Sequence, residues 1–218
     1  MGEPTGVRVK RGPMTGSGVA QRCSREDDGG LRLRWTTLRT ASLFEKIGDI
    51  MARLIALAGL PGTGKSSIAR QLARRLGAVW LRIDTMDQAI WASPTAPRDL
   101  EDWTYRAAQA VATDNLALGL DIVADCVNDC RAARDGWEAA ARQAGVGVRW
   151  IEVVCSDPAE HRRRIETRSS DIAGLVLPDW NAVAGRAYDA WDRDRIIVDT
   201  AHRSLEACVE EALDRLRK

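Results

Sequence analysis

The run Gly59-Leu60-Pro61-Gly62-Thr63-Gly64-Lys65-Ser66 satisfies the spacing G-x-x-x-x-G-K-[ST]. Each residue type in it answers a need of phosphate chemistry. Glycines adopt backbone angles that turn successive N–H groups inward around an anion. The helix that follows offers its positive end to the same anion. Lys65 reaches the β- and γ-phosphates of a nucleoside triphosphate, and the Ser66 hydroxyl is a Mg2+ ligand. The nucleotide-binding set read from this stretch is Gly59, Leu60, Pro61, Gly62, Thr63, Gly64, Lys65, Ser66 and Ser67.

Carboxylates follow at the ends of apolar runs. Asp125 closes Asp121-Ile122-Val123-Ala124-Asp125 and is placed to hold Mg2+ through water, or simply to end a strand. Asp84 closes Leu81-Arg82-Ile83-Asp84. It is a candidate general base for an acceptor hydroxyl, a role compatible with capping the helix that follows. Asp87, one turn on, is the alternative base. Asn128 and Arg131 follow the third apolar run and could either bind an acceptor's polar groups or cap a turn. Arg162, Arg163, Arg164 and Arg168 crowd one segment beginning at Asp157-Pro158. They read as a charged lid able to neutralise a transferring phosphoryl group, or as a solvated helix face. Trp91 and Trp103 are placed to cover an acceptor, and Trp180 and Trp191 flank the lid. Each could stack on a ring or pack in the core.

The elements that must position these groups are legible as an alternation. Apolar runs at 52–58, 79–83, 121–126, 148–155 and 195–198 read as strands. Between them lie amphipathic stretches at 66–76, 86–91, 100–118, 134–144, 158–168, 181–191 and 204–216. Strands apolar on both faces and separated by helices imply a parallel sheet covered on both sides. Ligands then bind beyond the carboxyl ends of the strands, where both aspartates fall.

Composition narrows the classes. The 218 residues carry a net charge of +1, so no overall basic field suggests nucleic acid, and no apolar run is long enough for a membrane span. Five cysteines without a C-x-x-C pair, and two histidines, read as reduced thiols of a cytoplasmic protein rather than a metal site. Residues 1–50 differ, holding 8 of the 18 glycines and nine Lys/Arg against six Asp/Glu. They are expected to be a disordered extension, with a short helix near Ser42–Ile50, or sequence upstream of a start at Met51. Residues 51–218 form the domain.

From Ala52 onward the chain resembles the P-loop small-molecule and nucleotide kinases, a group that includes gluconate and adenylylsulfate kinases. The resemblance implies a five-stranded parallel sheet of order 2-3-1-4-5 covered by helices on both faces, with a helical lid. Arg164-Ile165-Glu166-Thr167-Arg168 is similar to the R-I-x-x-R lid entrance of adenylate kinases, which implies Arg164 on an adenine and Arg168 on phosphates. Ile83-Asp84-Thr85-Met86-Asp87-Gln88-Ala89-Ile90 resembles a segment of chloramphenicol phosphotransferases, which implies Asp84 as base. Thr200 sits where related kinases place a loop against the adenine. The F-I-S motif of adenylylsulfate kinases and the monophosphate-binding pattern of adenylate kinases are absent. The resemblance implies ATP and Mg2+ as cofactors, a small-molecule acceptor as partner, and Lys65, Asp84 and Arg168 as the catalytic set. A nucleoside or polynucleotide kinase and a nucleotide-dependent switch are the other functions considered.

Overall fold

The structure, a computed structural model, describes residues 52–218; the expectations for residues 1–50 and for a start at Met51 lie outside the described residues. Five strands build one sheet: β1 Leu54–Ala58, β2 Val79–Arg82, β3 Ile122–Asp125, β4 Val148–Val154 and β5 Ile196–Asp199. Their order is β2-β3-β1-β4-β5 and every pairing is parallel, as expected. The helices are α1 Lys65–Leu76, α2 Ile83–Trp91, α3 Trp103–Ala117, α4 Arg131–Gln143, α5 Pro158–Thr167, α6 Trp180–Ala184 and α7 Leu205–Leu216.

β1 is buried along its whole length because its two faces meet different helix pairs. Ile55 and Leu57 pack with Ile68 and Leu72 of α1 and Val209 and Leu213 of α7. Leu54 and Ala56 pack with Ala108 and Ala112 of α3 and Trp137 and Ala141 of α4. Burial on both faces is why these runs are apolar throughout instead of alternating. Among the described residues no helix is long and apolar enough to cross a membrane.

Two departures from expectation bear on the site. The helix expected over 181–191 stops at Ala184, and residues 185–195 run as an irregular strap. The strap is claimed by other partners: the Asp189 N–H donates to Asp129 O at 2.7 Å, and the Arg131 N–H donates to Asp189 Oδ2 at 2.7 Å. Arg134, fully buried, donates to the carbonyls of Asn128, Asp129, Asp189 and Ala190. Its guanidinium also lies 4.2 Å from the centre of the Trp191 ring. The second departure is α2, which starts at Ile83, directly at the end of β2, and not at Met86. Asp84 therefore stands in the first turn of the helix, and no side chain caps that end.

Candidate functional site

The sharp turn after β1 carries the phosphate loop. Gly59, Gly62 and Gly64 have φ of 129°, 82° and 98°, in the region where a side chain is strained. Backbone leaves no room for a side chain at Gly59, and at Gly62 the Ile165 side chain would have to shift. A Cβ on Gly59 would stand 2.1 Å from Val153 O, and one on Gly62 would stand 2.4 Å from Ile165 Cδ1. The loop is thus pinched between β4 and α5. The Thr63 hydroxyl and Lys65 Nζ both donate to Leu60 O at 2.9 Å, closing the loop on itself. Pro61, Gly62, Gly64, Lys65, Ser66 and Ser67 line a cavity of about 760 Å³, while Gly59, Leu60 and Thr63 form the back of the loop. Burial lowers the pKa of the Lys65 ammonium, and Asp125 and Asp84 draw it back up.

Asp125 ends β3 beside β1 and β2, with Leu57 and Arg82 as its register partners. The Ser66 hydroxyl donates to Asp125 Oδ1 at 3.2 Å. Asp125 Oδ2 is buried and accepts no hydrogen bond; Arg82 Nε is 3.9 Å away. Burial raises the pKa of this carboxyl, against the pull of Lys65 and the Ser66 hydroxyl. A buried carboxylate oxygen without a partner, next to a serine hydroxyl at a phosphate loop, is an oxygen donor set that fits Mg2+.

Asp84, Asp87 and Trp91 of α2 line the same cavity. Across from them the lid closes the site. Asp157 caps α5 by accepting from the N–H groups of Ala159 and Glu160. His161 Nε2–H donates to Pro61 O at 2.8 Å, which ties α5 to the phosphate loop. After α5, Arg168 enters the cavity with Nε and Nη2 buried and unpartnered. Burial lowers its pKa, opposed by Asp84. Residues 169–171 and 175–178 also line the cavity. Arg82 at the end of β2 donates to Asp171 at 2.8 and 3.1 Å, latching this segment to the sheet.

Several expected contacts change. Thr200 is buried, and its hydroxyl is 2.9 Å from Thr63 O and 3.0 Å from Val154 O, so it braces the loop and does not face the cavity. Arg164 lines the cavity but donates to the Thr200 hydroxyl and carbonyl and to Glu160. Asn128 is a correction: with φ of 49° it turns into the core, fully buried. Its amide donates to Leu57 O, and its Oδ1 accepts from Trp137 Nε1. Arg131 is another: it opens α4 outside the cavity and pairs with Asp192 at 3.1 Å. Trp103 is exposed away from the cavity, Trp180 packs edge-on against His161, and Trp191 packs edge-on against Trp150. Sequence reasoning missed Arg82, Tyr105, Asp171 and Arg186, all of which line the cavity. For Arg82 a signal existed, since it is a lone cation at the end of a strand that leads straight into Asp84.

The AAA domain family model matches residues 54–177, and the chain belongs to that family. Its fold is that of the P-loop kinases. A sugar kinase from Janibacter sp., solved without ligand, superposes with a TM-score of 0.57 at 18% identity, covering 76% of this chain and 95% of that one. The APS kinase of Mycobacterium tuberculosis, in complex with AMPPNP and APS, gives 0.56 at 18% identity over 77% of this chain and 99% of that one. Chaetomium thermophilum Kti12, in complex with ADP-AlF3, gives 0.56 at 20% identity over 75% and 97%. At these identities the likeness is one of fold. No curated protein matches the chain.

Proposed function

We propose that the protein is a cytoplasmic, ATP- and Mg2+-dependent phosphotransferase that phosphorylates a hydroxyl of a small molecule. The observation that carries this reading is that Asp84 and Arg168 both line the cavity of the phosphate loop. An exposed carboxylate shares that cavity with a guanidinium whose buried Nε and Nη2 have no partner. Such a guanidinium is completed by an anion, and a carboxylate open to the same cavity is a candidate to receive a proton.

The residues divide the work. Gly62, Gly64, Lys65 and Ser67 cradle the triphosphate. Ser66 and Asp125 would hold Mg2+, which neutralises phosphate charge when bound. Asp84 takes the proton of the acceptor hydroxyl as its oxygen forms a bond to the γ-phosphorus. The bond from that phosphorus to the oxygen bridging to the β-phosphate breaks, and ADP leaves. Lys65 and Arg168 stabilise the charge spread over the γ-phosphoryl oxygens. Asp87 is the second carboxylate on the acceptor side.

The test is ADP release from Mg-ATP across a panel of sugars, polyols, amino alcohols and nucleosides, with Asp84→Asn alongside. Acceptor-dependent release that Asp84→Asn abolishes while still binding ATP is the expected result. Tight ATP binding with no acceptor effect would overturn it in favour of a nucleotide switch.

A further inference from the structure

The acceptor half of the cavity has a charge pattern of its own. Asp84 faces cations, because its charge acts on Lys65, Arg82 and Arg168, all on the phosphate side. Asp87, one turn further along α2, faces none. The only charged group acting on it is Asp84, and its other polar neighbour is the hydroxyl of Thr104. That hydroxyl is buried and makes no hydrogen bond of full geometry. Of the arginines that line the cavity, Arg82 is matched by Asp171, Arg164 by Glu160 and Arg186 by Asp129; Arg70 and Arg168 form no ion pair among the described residues, and none of the five is paired with Asp87. Neither Asp84 nor Asp87 forms an ion pair among the described residues. Trp91, another turn on and 46% exposed, extends the same face of α2 with an open aromatic ring.

A half-buried carboxylate beside a second carboxylate, with no cation paired to it, is costly to keep charged. Burial raises the Asp87 pKa, and Asp84 adds to the rise. A neutral hydroxyl would donate a hydrogen bond and offset only part of that cost. An ammonium would remove it, and a carboxylate or phosphate on the acceptor would increase it. The Trp91 ring suits a cation or the C–H face of a sugar equally.

We propose that the acceptor is a hydroxylated amine, an amino sugar or amino alcohol, whose ammonium is bound by Asp87 while its hydroxyl faces Asp84. The proposal rests on the phosphotransferase reading for the role of Asp84 but on Asp87 for its specificity. It sets this site apart from any built for an anionic acceptor.

The experiment uses the full chain at pH 7 and matched acceptors that differ in one group: glucosamine, glucose and glucuronate, and 2-amino-1,3-propanediol, glycerol and glycerate. ADP release and calorimetric binding in the presence of Mg-AMPPNP are both measured. The amine of a set is expected to exceed its neutral partner by about tenfold in kcat/KM, the effect of one charge-assisted hydrogen bond, with the anion lowest. Asp87→Asn should bring amine and neutral partner together, chiefly through KM, and Asp87→Glu should restore part of the gap. Equal use of amine and neutral partner, or a preference that survives Asp87→Asn, overturns the proposal. If no compound stimulates ADP release, the phosphotransferase reading fails and calorimetry decides the subsite. Amine binding that Asp87→Asn removes upholds it, and absence of amine binding overturns it.

Discussion

Asp125 ends β3, whereas Asp84 follows β2 in the first turn of α2, and the two carboxylates have different surroundings. Asp84 is exposed and lines the cavity. Removing the charge in Asp84→Asn is expected to lower kcat by about 10²–10⁴, the range for loss of a general base, with nucleotide affinity retained. Asp125 is 3% exposed and carries an oxygen with nothing bonded to it. Its folded pKa is raised, so the folded state holds the proton to higher pH than the unfolded chain does. The charge therefore subtracts stability as pH rises from the unfolded value through the folded one. Asp125→Asn keeps the shape and an acceptor for Ser66. It should raise the stability of the nucleotide-free protein at pH 7 while weakening Mg-nucleotide binding. Thermal denaturation without ligand and a Mg2+ titration of nucleotide affinity would show the two effects. A loss of both stability and affinity would refute the metal role. The types and spacing of Lys65, Ser66, Asp84, Asp125 and Arg168 were legible because each follows or opens a regular element. Asn128 and Arg131 were not, since nearness to a strand end says nothing of direction. The left-handed turn at Asn128 sends its side chain into the core.

At the scale of elements the lid is held by two unequal ties. His161 joins α5 to Pro61 O from a buried position, and Trp180 packs edge-on against its ring at 5.4 Å. The segment beyond Arg168 is held by the Arg82–Asp171 pair, in which Asp171 is 60% exposed. Such a pair contributes under about 1 kcal/mol, so it suits a latch that opens for substrate exchange. Arg82 holds the Asp171 pKa below the ordinary range. The pair is therefore intact above the usual Asp range and is lost as pH falls through the lowered value. Asp171→Ala is expected to increase proteolysis within 169–178 at neutral pH while sparing α5, and the wild type should approach the same pattern only in acid. Equal cleavage of both proteins at neutral pH would mean that the pair does not latch the segment. The alternation of strands and helices was readable because burial on both sheet faces writes continuous apolar runs. The end of α6 was not. Asn181-Ala182-Val183-Ala184 and the residues after it carry a helical pattern, but distant Asp129 and Arg134 take the backbone of 189–190 for themselves.

For the whole molecule, the cavity depends on two separate supports. The phosphate loop hangs on β1, β4 and α5, whereas the acceptor wall is completed by Arg186 at the start of the strap. The strap is joined to the β3–α4 turn chiefly through Arg134. This is a fully buried cation that forms no ion pair among the described residues and is satisfied instead by four carbonyls and the face of Trp191. Arg134→Leu would remove the guanidinium donor from the Asn128, Asp189 and Ala190 carbonyls, while the Asp129 carbonyl keeps the Asp189 N–H. The cost should be about 3 kcal/mol or more, since each buried polar group that loses its partner costs on the order of 1–3 kcal/mol. For a chain of this length that corresponds to a fall in Tm of about 6–12 °C. Arg134→Lys, which keeps the charge but cannot span four acceptors, should fall between the two. Because the strap carries Arg186 and not the phosphate loop, acceptor KM should rise in both variants at temperatures where they remain folded, with Mg-ATP affinity close to wild type. A parallel loss of nucleotide affinity would instead make the two supports one cooperative unit, joined through β3 and Asp125.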